Sequence, residues 1–471
     1  MKRTQFLQKK WRRYPVAEND WLDVAQFLRV CVSAPANGRP LRVCGRIDAT
    51  QDPRLWFLAS AGAQVEFSFA ADCLWSHDGN SDWKDGGESV DPEVLRSGDL
   101  LCVEFIPQVM PQIMPPIALK TNRCRLLVPT AKQFKLVSEF SHERSVQWIH
   151  LLSEVRAFFN SRDFIEMQTP TLVPSPGTEP FLDPFSTVWE SASGRRALYL
   201  PTSPEFHLKK LLAAGWTRIF ELKTCFRNGE LGPHHQPEFM MLEWYRGYSN
   251  LERIADDVAD LVSWLAERLV SVPGYSNVWL GGQKPQVVRT TMREVFSRAF
   301  NGFELRPDTT RDELLEVANV AGVHCVLTDS WDEVFFRLFL EKIEGSLERL
   351  MQTDAPVLIH GYPPSQAALA RIGADGFADR FEVYWRGFEL ANAFHELNDA
   401  QENLLRFADD AAKKCGVNKS AVPVDQRLVE AVEFGLPPSG GIALGIDRLF
   451  MAFFGIKEIA KARPFPFSPQ Y

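Results

Sequence analysis

From residue 41 to about 70 apolar and polar positions alternate, as in Leu41-Arg42-Val43-Cys44-Gly45-Arg46-Ile47 and Val65-Glu66-Phe67-Ser68-Phe69. That is the period of half-buried strands. Further strands are expected at Leu100–Phe105 and near Arg125–Val128, with a Gly/Asp/Ser-rich loop over roughly 72–93 between them. Short strands around a long polar loop predict a small OB-like β-barrel over 1–130. A helical period follows. Val146, Ile149, Leu152 and Val155 recur, Phe159 extends the face, and Ser141 is placed to cap the start. The run from Phe164 reads as a strand that stops at Pro170. Residues 250–350 are mainly helical in pattern, with Ile254, Val258, Leu261 and Leu265 on one face. Strands return at Val357–Gly361, Phe381–Leu390 and Gly441–Ile446. Strands on either side of a helical insertion predict an α+β domain over 131–471, an antiparallel sheet with flanking helices and not a doubly wound one.

Length agrees with more than one core, since 471 residues exceed a single ordinary domain. No run of about 18 apolar residues occurs, so no helical membrane span is expected. Lys2, Arg3, Lys9, Lys10, Arg12 and Arg13 open the chain with no apolar stretch behind them, unlike a secretory signal. The eight cysteines are scattered without zinc or redox spacing, which points to thiols in a reducing cytoplasm. A net charge of −8 argues against a protein built mainly to grip nucleic acid.

Three clusters carry candidate chemistry. In the first, Phe226-Arg227-Asn228-Gly229-Glu230 precedes His234-His235-Gln236-Pro237-Glu238-Phe239 and Glu243-Trp244-Tyr245. Arginine beside a turn-prone Asn-Gly suits a hairpin that holds phosphate, and Phe239 offers a face for a base. An ordinary surface hairpin is the alternative. In the second, Arg386-Gly387 as a two-residue turn would pair Tyr384 with Glu389 and Glu382 with Ala391. Glu382 and Glu389 would then share a face, a hard oxygen site suited to Mg²⁺ with a polyphosphate. Glu396 would need a bulge near residues 392–395 to join them. The third is Pro438-Ser439-Gly440-Gly441-Ile442-Ala443-Leu444-Gly445-Ile446-Asp447-Arg448. Its small residues let backbone approach a ligand, and Arg448 stands near a helix start, where anions are favoured.

Together with the helix and strand that end at Pro170, these residues resemble the three signature motifs of class II aminoacyl-tRNA synthetases: the first is that helix and strand, the second spans Arg227 to Tyr245, and the third spans Gly440 to Leu449. Within that class, Glu205, Phe239, Glu243, Tyr245, Glu389, Asn392 and Glu396-Leu397-Asn398-Asp399 are similar to the lysyl branch. Thr202-Ser203-Pro204-Glu205-Phe206-His207-Leu208-Lys209-Lys210 and Pro364-Ser365-Gln366-Ala367-Ala368 resemble the elongation factor P lysine ligases, which attach β-lysine to a lysine of that factor. So does Ala443, where lysyl synthetases carry glycine. Two departures stand out. The usual Arg-Asn-Glu becomes Arg227-Asn228-Gly229, so the acid that meets adenine is missing or displaced. The ligases also usually lack an N-terminal domain.

The resemblance implies an enzyme that uses ATP and Mg²⁺ to form an aminoacyl-adenylate, with elongation factor P as acceptor. A lysyl-tRNA synthetase and a silent paralogue are the alternatives. It implies Arg227 on the α-phosphate, Arg448 on the γ-phosphate and Phe239 on adenine. Asn228, Gly229, Gln236, Leu390 and Gly445 would complete the ATP site, and Glu382 and Glu389 would carry the metal. Glu205 would take the amine nearest the substrate carboxylate, and Tyr245 and Glu396 the distal amine. Ser203, Pro204, Asn392 and Ala443 would line the same end. A homodimer through residues 145–170 is implied as well. For tRNA, the N-terminal domain offers Phe67 and Phe69 as a stacking platform and residues 2–13 as phosphate contacts. Asp72, Asp78, Asp82, Asp85, Glu88, Asp91 and Glu93 would repel phosphate.

Overall fold

The computed structural model describes residues 21–23, 41–49, 56–60, 63–76, 100–105, 119–128, 142–272, 286–416, 422–463 and 465–467. The chain divides into two compact units, Met1–Leu136 and Val137–Tyr471.

In the first unit, β1 (Trp21–Asp23) runs parallel to β2 (Leu41–Ala49). Strand β2 also pairs antiparallel with β3 (Trp56–Ser60) and with β5 (Leu100–Phe105). Strand β3 pairs with β4 (Ala63–Ser76), and β6 (Leu119–Val128) bridges β4 and β5. The pairings β2-β3-β4-β6-β5-β2 therefore close a ring. Strand β4 continues to Ser76, so Asp72 belongs to a strand and not to the expected loop. Ser141, residues 2–13, the rest of the acidic loop and the side chains of Phe67 and Phe69 lie outside the described residues.

The second unit begins with α1 (His142–Asn160). Its buried stripe is Leu151, Val155, Phe158 and Phe159, while Ile149 stays 64% exposed. The expected face, read at intervals of three, drifts off a 3.6-residue helix, and this misplaces Ile149. A short β7 (Ile165–Glu166) follows, then a separate hairpin of β8 (Ser186–Ser191) and β9 (Gly194–Tyr199). Helix α2 (Glu205–Ala213) leads into β10 (Arg218–Phe226) and β11 (Glu238–Gly247). Helix α3 (Leu251–Arg268) is capped by Asn250 and buries Ile254, Val258, Leu261 and Leu265, as its pattern predicts.

The insertion is not wholly helical. Strand β12 (Val288–Thr291) precedes α4 (Met292–Ala299), α5 (Arg311–Ala321), α6 (Trp331–Leu338) and α7 (Leu347–Met351). Four residues are too few to display an alternation. Next come β13 (Val357–Tyr362), β14 (Ala378–Trp385) and β15 (Phe388–His395). Helices α8 (Ala400–Gly416) and α9 (Gln426–Gly435), strand β16 (Ser439–Gly445) and α10 (Ile446–Phe454) complete the unit.

Eight strands form one sheet in the order β12-β13-β14-β15-β16-β11-β10-β7. The six central strands are antiparallel, while β12 and β7 add parallel edges. The fold is α+β with a mixed sheet. Phe220, Leu242, Trp244, Ile442, Leu444 and Ala393 point from one face into a core shared with α1, α3 and α10. The alternate residues of β11, β15 and β16 line a cavity on the opposite face.

Candidate active site

Arg386 and Gly387 both have positive φ, 52° and 77°, the geometry of a two-residue hairpin turn. Tyr384 pairs with Glu389 as expected, but Glu382 pairs with Asn392 and not with Ala391. A bulge at Leu390 shifts the register between Val383 and Tyr384. Its consequence is chemical. One extra residue puts Asn392, Phe394 and Glu396 on the face that Glu389 already occupies, and all four line the cavity. The bulge that recruits Glu396 thus sits earlier than residues 392–395. Leu390 also borders the cavity, but its side chain belongs to the core, so it offers main chain only.

The cavity has a volume of about 410 Å³. One end is cationic. Arg227 leaves strand β10 with its guanidinium carbon 4.9 Å from the centre of the Phe239 ring. Its buried Nε has no hydrogen-bond partner, and Nη1 lies 3.8 Å from Glu230. Arg448, in the first turn of α10, donates through Nη1 to the carbonyl of Glu389 at 2.7 Å. Its Nη2 lies 2.7 Å from Nε2 of His235. Burial and then the neighbouring Arg448 lower the His235 pKa, so a neutral imidazole accepts from the arginine. Gly445 and Gln236 line this end too. Asp447 is 2% exposed and accepts from the Met240 amide at 2.7 Å and from Arg463, which ties α10 to β11.

Glu389 stands between the ends, 3.7 Å from Arg448. Burial, and Glu382 beside it, raise its carboxyl to about 7 against the pull of Arg448. Its side chain keeps 39% exposure, so solvent tempers that rise. Glu382 does not line the cavity. One of its oxygens accepts from Arg380, and the other accepts from Tyr384 and from Tyr362, the latter at 2.6 Å. Among the described residues, no three His, Cys, Asp or Glu side chains converge on a metal position. The donor set suits a hard cation at Glu389, which is raised and only partly paired, with Glu382 held behind it.

The other end is acidic. Ser203 donates to Glu243 at 2.6 Å, and the Tyr245 hydroxyl donates to the other oxygen of Glu243 at 3.1 Å. Burial, then Glu205 nearby, raises the Glu243 pKa well above the ordinary carboxyl range. Glu396 is 1% exposed and its Oε1 has no partner. Burial lifts its carboxyl to about 7, with Lys209 opposing and Glu205 reinforcing the rise. Glu205, Asn392 and Ala443 complete this end. Gly441 is glycine for a steric reason. A Cβ there would overlap Glu396 Oε1 and Tyr245 Cε1.

Pro204, Asn228 and Gly229 do not line the cavity, whereas Glu230 does. Gly229 has φ +80°, a conformation that disfavours the usual glutamate. Sequence reasoning missed Thr178, Glu179 and Asp410, which close one wall. Thr178 donates to Asp410 at 3.3 Å, and buried Lys414 donates to the Leu182 carbonyl at 2.7 Å, so α8 pins the loop that carries Glu179. Only proximity in space unites these residues. His235 stands inside the first cluster, where no role was assigned to it.

Comparison with known proteins agrees with this geometry. The family described as tRNA synthetases class II (D, K and N) matches residues 132–469. The chain belongs to that family. Curated relatives of this class II chain include the elongation factor P (R)-beta-lysine ligase of Enterobacter sp. (strain 638), 36% identical over 318 residues. That match covers 66% of this chain and 90% of the relative. The ligase of the same name from Vibrio vulnificus (strain YJ016) is 36% identical over 327 residues, covering 67% and 93%. The one from Haemophilus ducreyi is 36% identical over 319 residues, covering 67% and 91%. By family this class II protein is a ligase, and the first unit lies almost wholly outside the matched residues. Among the described residues no helix is long and apolar enough to cross a membrane.

Proposed function

We propose that the protein activates β-lysine or lysine as an aminoacyl-adenylate with ATP and transfers the acyl group to a lysine side chain of elongation factor P. One observation carries the reading. The cavity carries charged groups at both ends, with an unpaired arginine donor at one extreme and an unpaired carboxylate oxygen at the other. Buried polar groups without partners imply a ligand that supplies them. A nucleotide phosphate suits Arg227 and Arg448, and an adenine ring suits Phe239. Ammonium groups suit Glu205 and Glu396.

In the first step a substrate carboxylate oxygen attacks the α-phosphorus of ATP, and the bond to the β-phosphate oxygen breaks, releasing pyrophosphate. Arg227 meets the charge that develops at phosphorus, and Arg448 holds the terminal phosphate. Glu389, with Glu382 behind it, would hold Mg²⁺, which supplies countercharge to the polyphosphate. In the second step an acceptor amine attacks the acyl carbon, AMP leaves and the amine loses a proton. The chain supplies no nucleophile.

The names of the relatives support elongation factor P as acceptor. Esterification of tRNA is the second reading, and the closed ring of strands in the first unit favours it, since that pairing supports an OB-like barrel. We read the unit as a remnant or a docking module of the ligase. Exposed Ile149, Ile165 and Leu172 support a symmetric dimer through the α1 region. Among the described residues, Cys225, Cys325 and Cys415 are free thiols, which fits a cytoplasmic enzyme. Amino-acid-dependent pyrophosphate exchange tests the reading. Exchange with lysine or β-lysine supports it, and none with either defeats it.

A further inference from the structure

The acidic end contains a cation of its own. Lys209 on α2 is 3% exposed, and its Nζ lies 2.6 Å from Oε1 of Glu205 and 2.6 Å from Oε2 of Glu396. Both carboxylates line the cavity and Lys209 does not, so the ammonium reaches them from behind. Glu205 and Glu396 come from different elements, α2 and the end of β15, and Lys209 is the link between them. Around them stand Glu243 and Tyr245 from β11 and Glu179 from the loop that α8 pins.

Four carboxyl groups close together in a buried cavity cannot all stay charged without counter-ions. Burial first, then Glu205, raises the pKa of Glu179 and of Glu243, whereas Glu205 and Glu396 are the two that meet the Lys209 ammonium directly. For Lys209, burial pulls the pKa down, but Glu205 and Glu396 outweigh it and the net shift is upward, so the ammonium is permanent. The charges then balance for one class of substrate. Glu205, Glu396 and a substrate carboxylate are three negative charges. Lys209 and the two ammonium groups of a diamino acid are three positive ones. An amino acid with an apolar side chain leaves one buried carboxylate unmatched, and an uncompensated buried charge is strongly disfavoured.

We propose that Lys209 is a positioning residue that makes the cavity select diamino acids, by bridging Glu205 and Glu396 from behind so that each presents a carboxylate to a separate substrate ammonium. The inference rests on the diamino-acid reading above, and its test separates the two.

Pyrophosphate exchange is measured for wild type, Lys209→Met and Lys209→Arg with β-lysine, lysine and norleucine between pH 5.5 and 8.5. Thermal denaturation and ATP KM serve as controls of folding. Wild type without exchange on either diamino acid overturns the functional reading and this inference with it. Given exchange, the wild-type diamino-acid KM should climb as pH falls through about 7, where Glu396 takes up a proton. Lys209→Met should raise that KM at least 50-fold, shift the rise to higher pH, and shrink the preference over norleucine at least tenfold, with ATP KM unchanged. Lys209→Arg should restore the pH profile and most of the KM. A Lys209→Met enzyme with KM within threefold of wild type and an unmoved profile would overturn the inference alone. So would a folded Lys209→Arg with no recovery. If Lys209→Met does not fold, a wild-type KM flat across the pH range overturns it, and a rise near pH 7 kept by Lys209→Arg supports it.

Discussion

Replacing Gly441 by alanine adds one methyl group at the point where strands β11, β15 and β16 meet under the acidic end of the cavity. Gly441 pairs with Tyr245 on one side and with Phe394 on the other, so the strand cannot shift without breaking two ladders. The new Cβ would overlap Glu396 Oε1, and it would stand 2.5 Å from Tyr245 Cδ1, where ordinary contact begins at 3.4 Å. Neither neighbour can retreat freely. Glu396 is anchored through its amide to the Ser439 carbonyl at 2.9 Å and through its carboxylate to Lys209. Tyr245 is held by Glu243. The result is a displacement of about 1 Å in the two groups assigned to the distal amine, the scale of misplacement that costs roughly 100-fold in rate. That corresponds to about 2.7 kcal/mol of transition-state stabilisation. Overpacking should also lower stability by about 1–3 kcal/mol. The cationic end is remote from the change, so ATP KM should hold. Exchange kinetics with the amino acid and ATP varied in turn separate these effects. A Gly441→Ala enzyme with diamino-acid kcat/KM within threefold of wild type would refute the placement of Glu396 and Tyr245.

Three further expectations follow from the same geometry. Arg227→Ala should abolish pyrophosphate exchange in a folded protein, mainly through kcat, and exchange within tenfold of wild type would remove Arg227 from the phosphate site. Ala443→Gly should improve lysine relative to β-lysine by about 1–3 kcal/mol, or 5- to 150-fold in relative kcat/KM, because Ala443 lines the cavity between Glu243 and Asn392. Equal changes for both substrates would instead mark the methyl as packing. Sedimentation should give a dimer near micromolar concentration, and a lone 53.5 kDa species would count against the α1 interface.

Much of the site could be read from the sequence because its chemistry is concentrated in short segments with fixed side-chain alternation. Phe239, Glu243 and Tyr245 alternate along β11, and that pattern survives folding. The bulge at Leu390 did not show, since a one-residue register shift leaves no mark in a strand of mixed apolar residues. Lys209 was hidden for another reason. A lysine within a helix usually faces water, and only the folded chain shows two carboxylates closing over it. Glu179 and Asp410 are 231 positions apart, and neither sits in a motif. Ile149 was misassigned because three-residue spacing only approximates a helix. Glu382 was expected at the cavity, and Arg380, Tyr362 and Tyr384 hold it behind the wall instead.

The central claim is the transfer of an activated diamino acid to a protein amine, and a competition assay tests it most directly. Purified enzyme is supplied with ATP, labelled (R)-β-lysine or lysine, and equimolar elongation factor P and lysine tRNA. Label should be fixed to elongation factor P through an alkali-stable amide, with AMP released in step and β-lysine preferred. Label found only on tRNA, as an alkali-labile ester with lysine preferred, would contradict that claim.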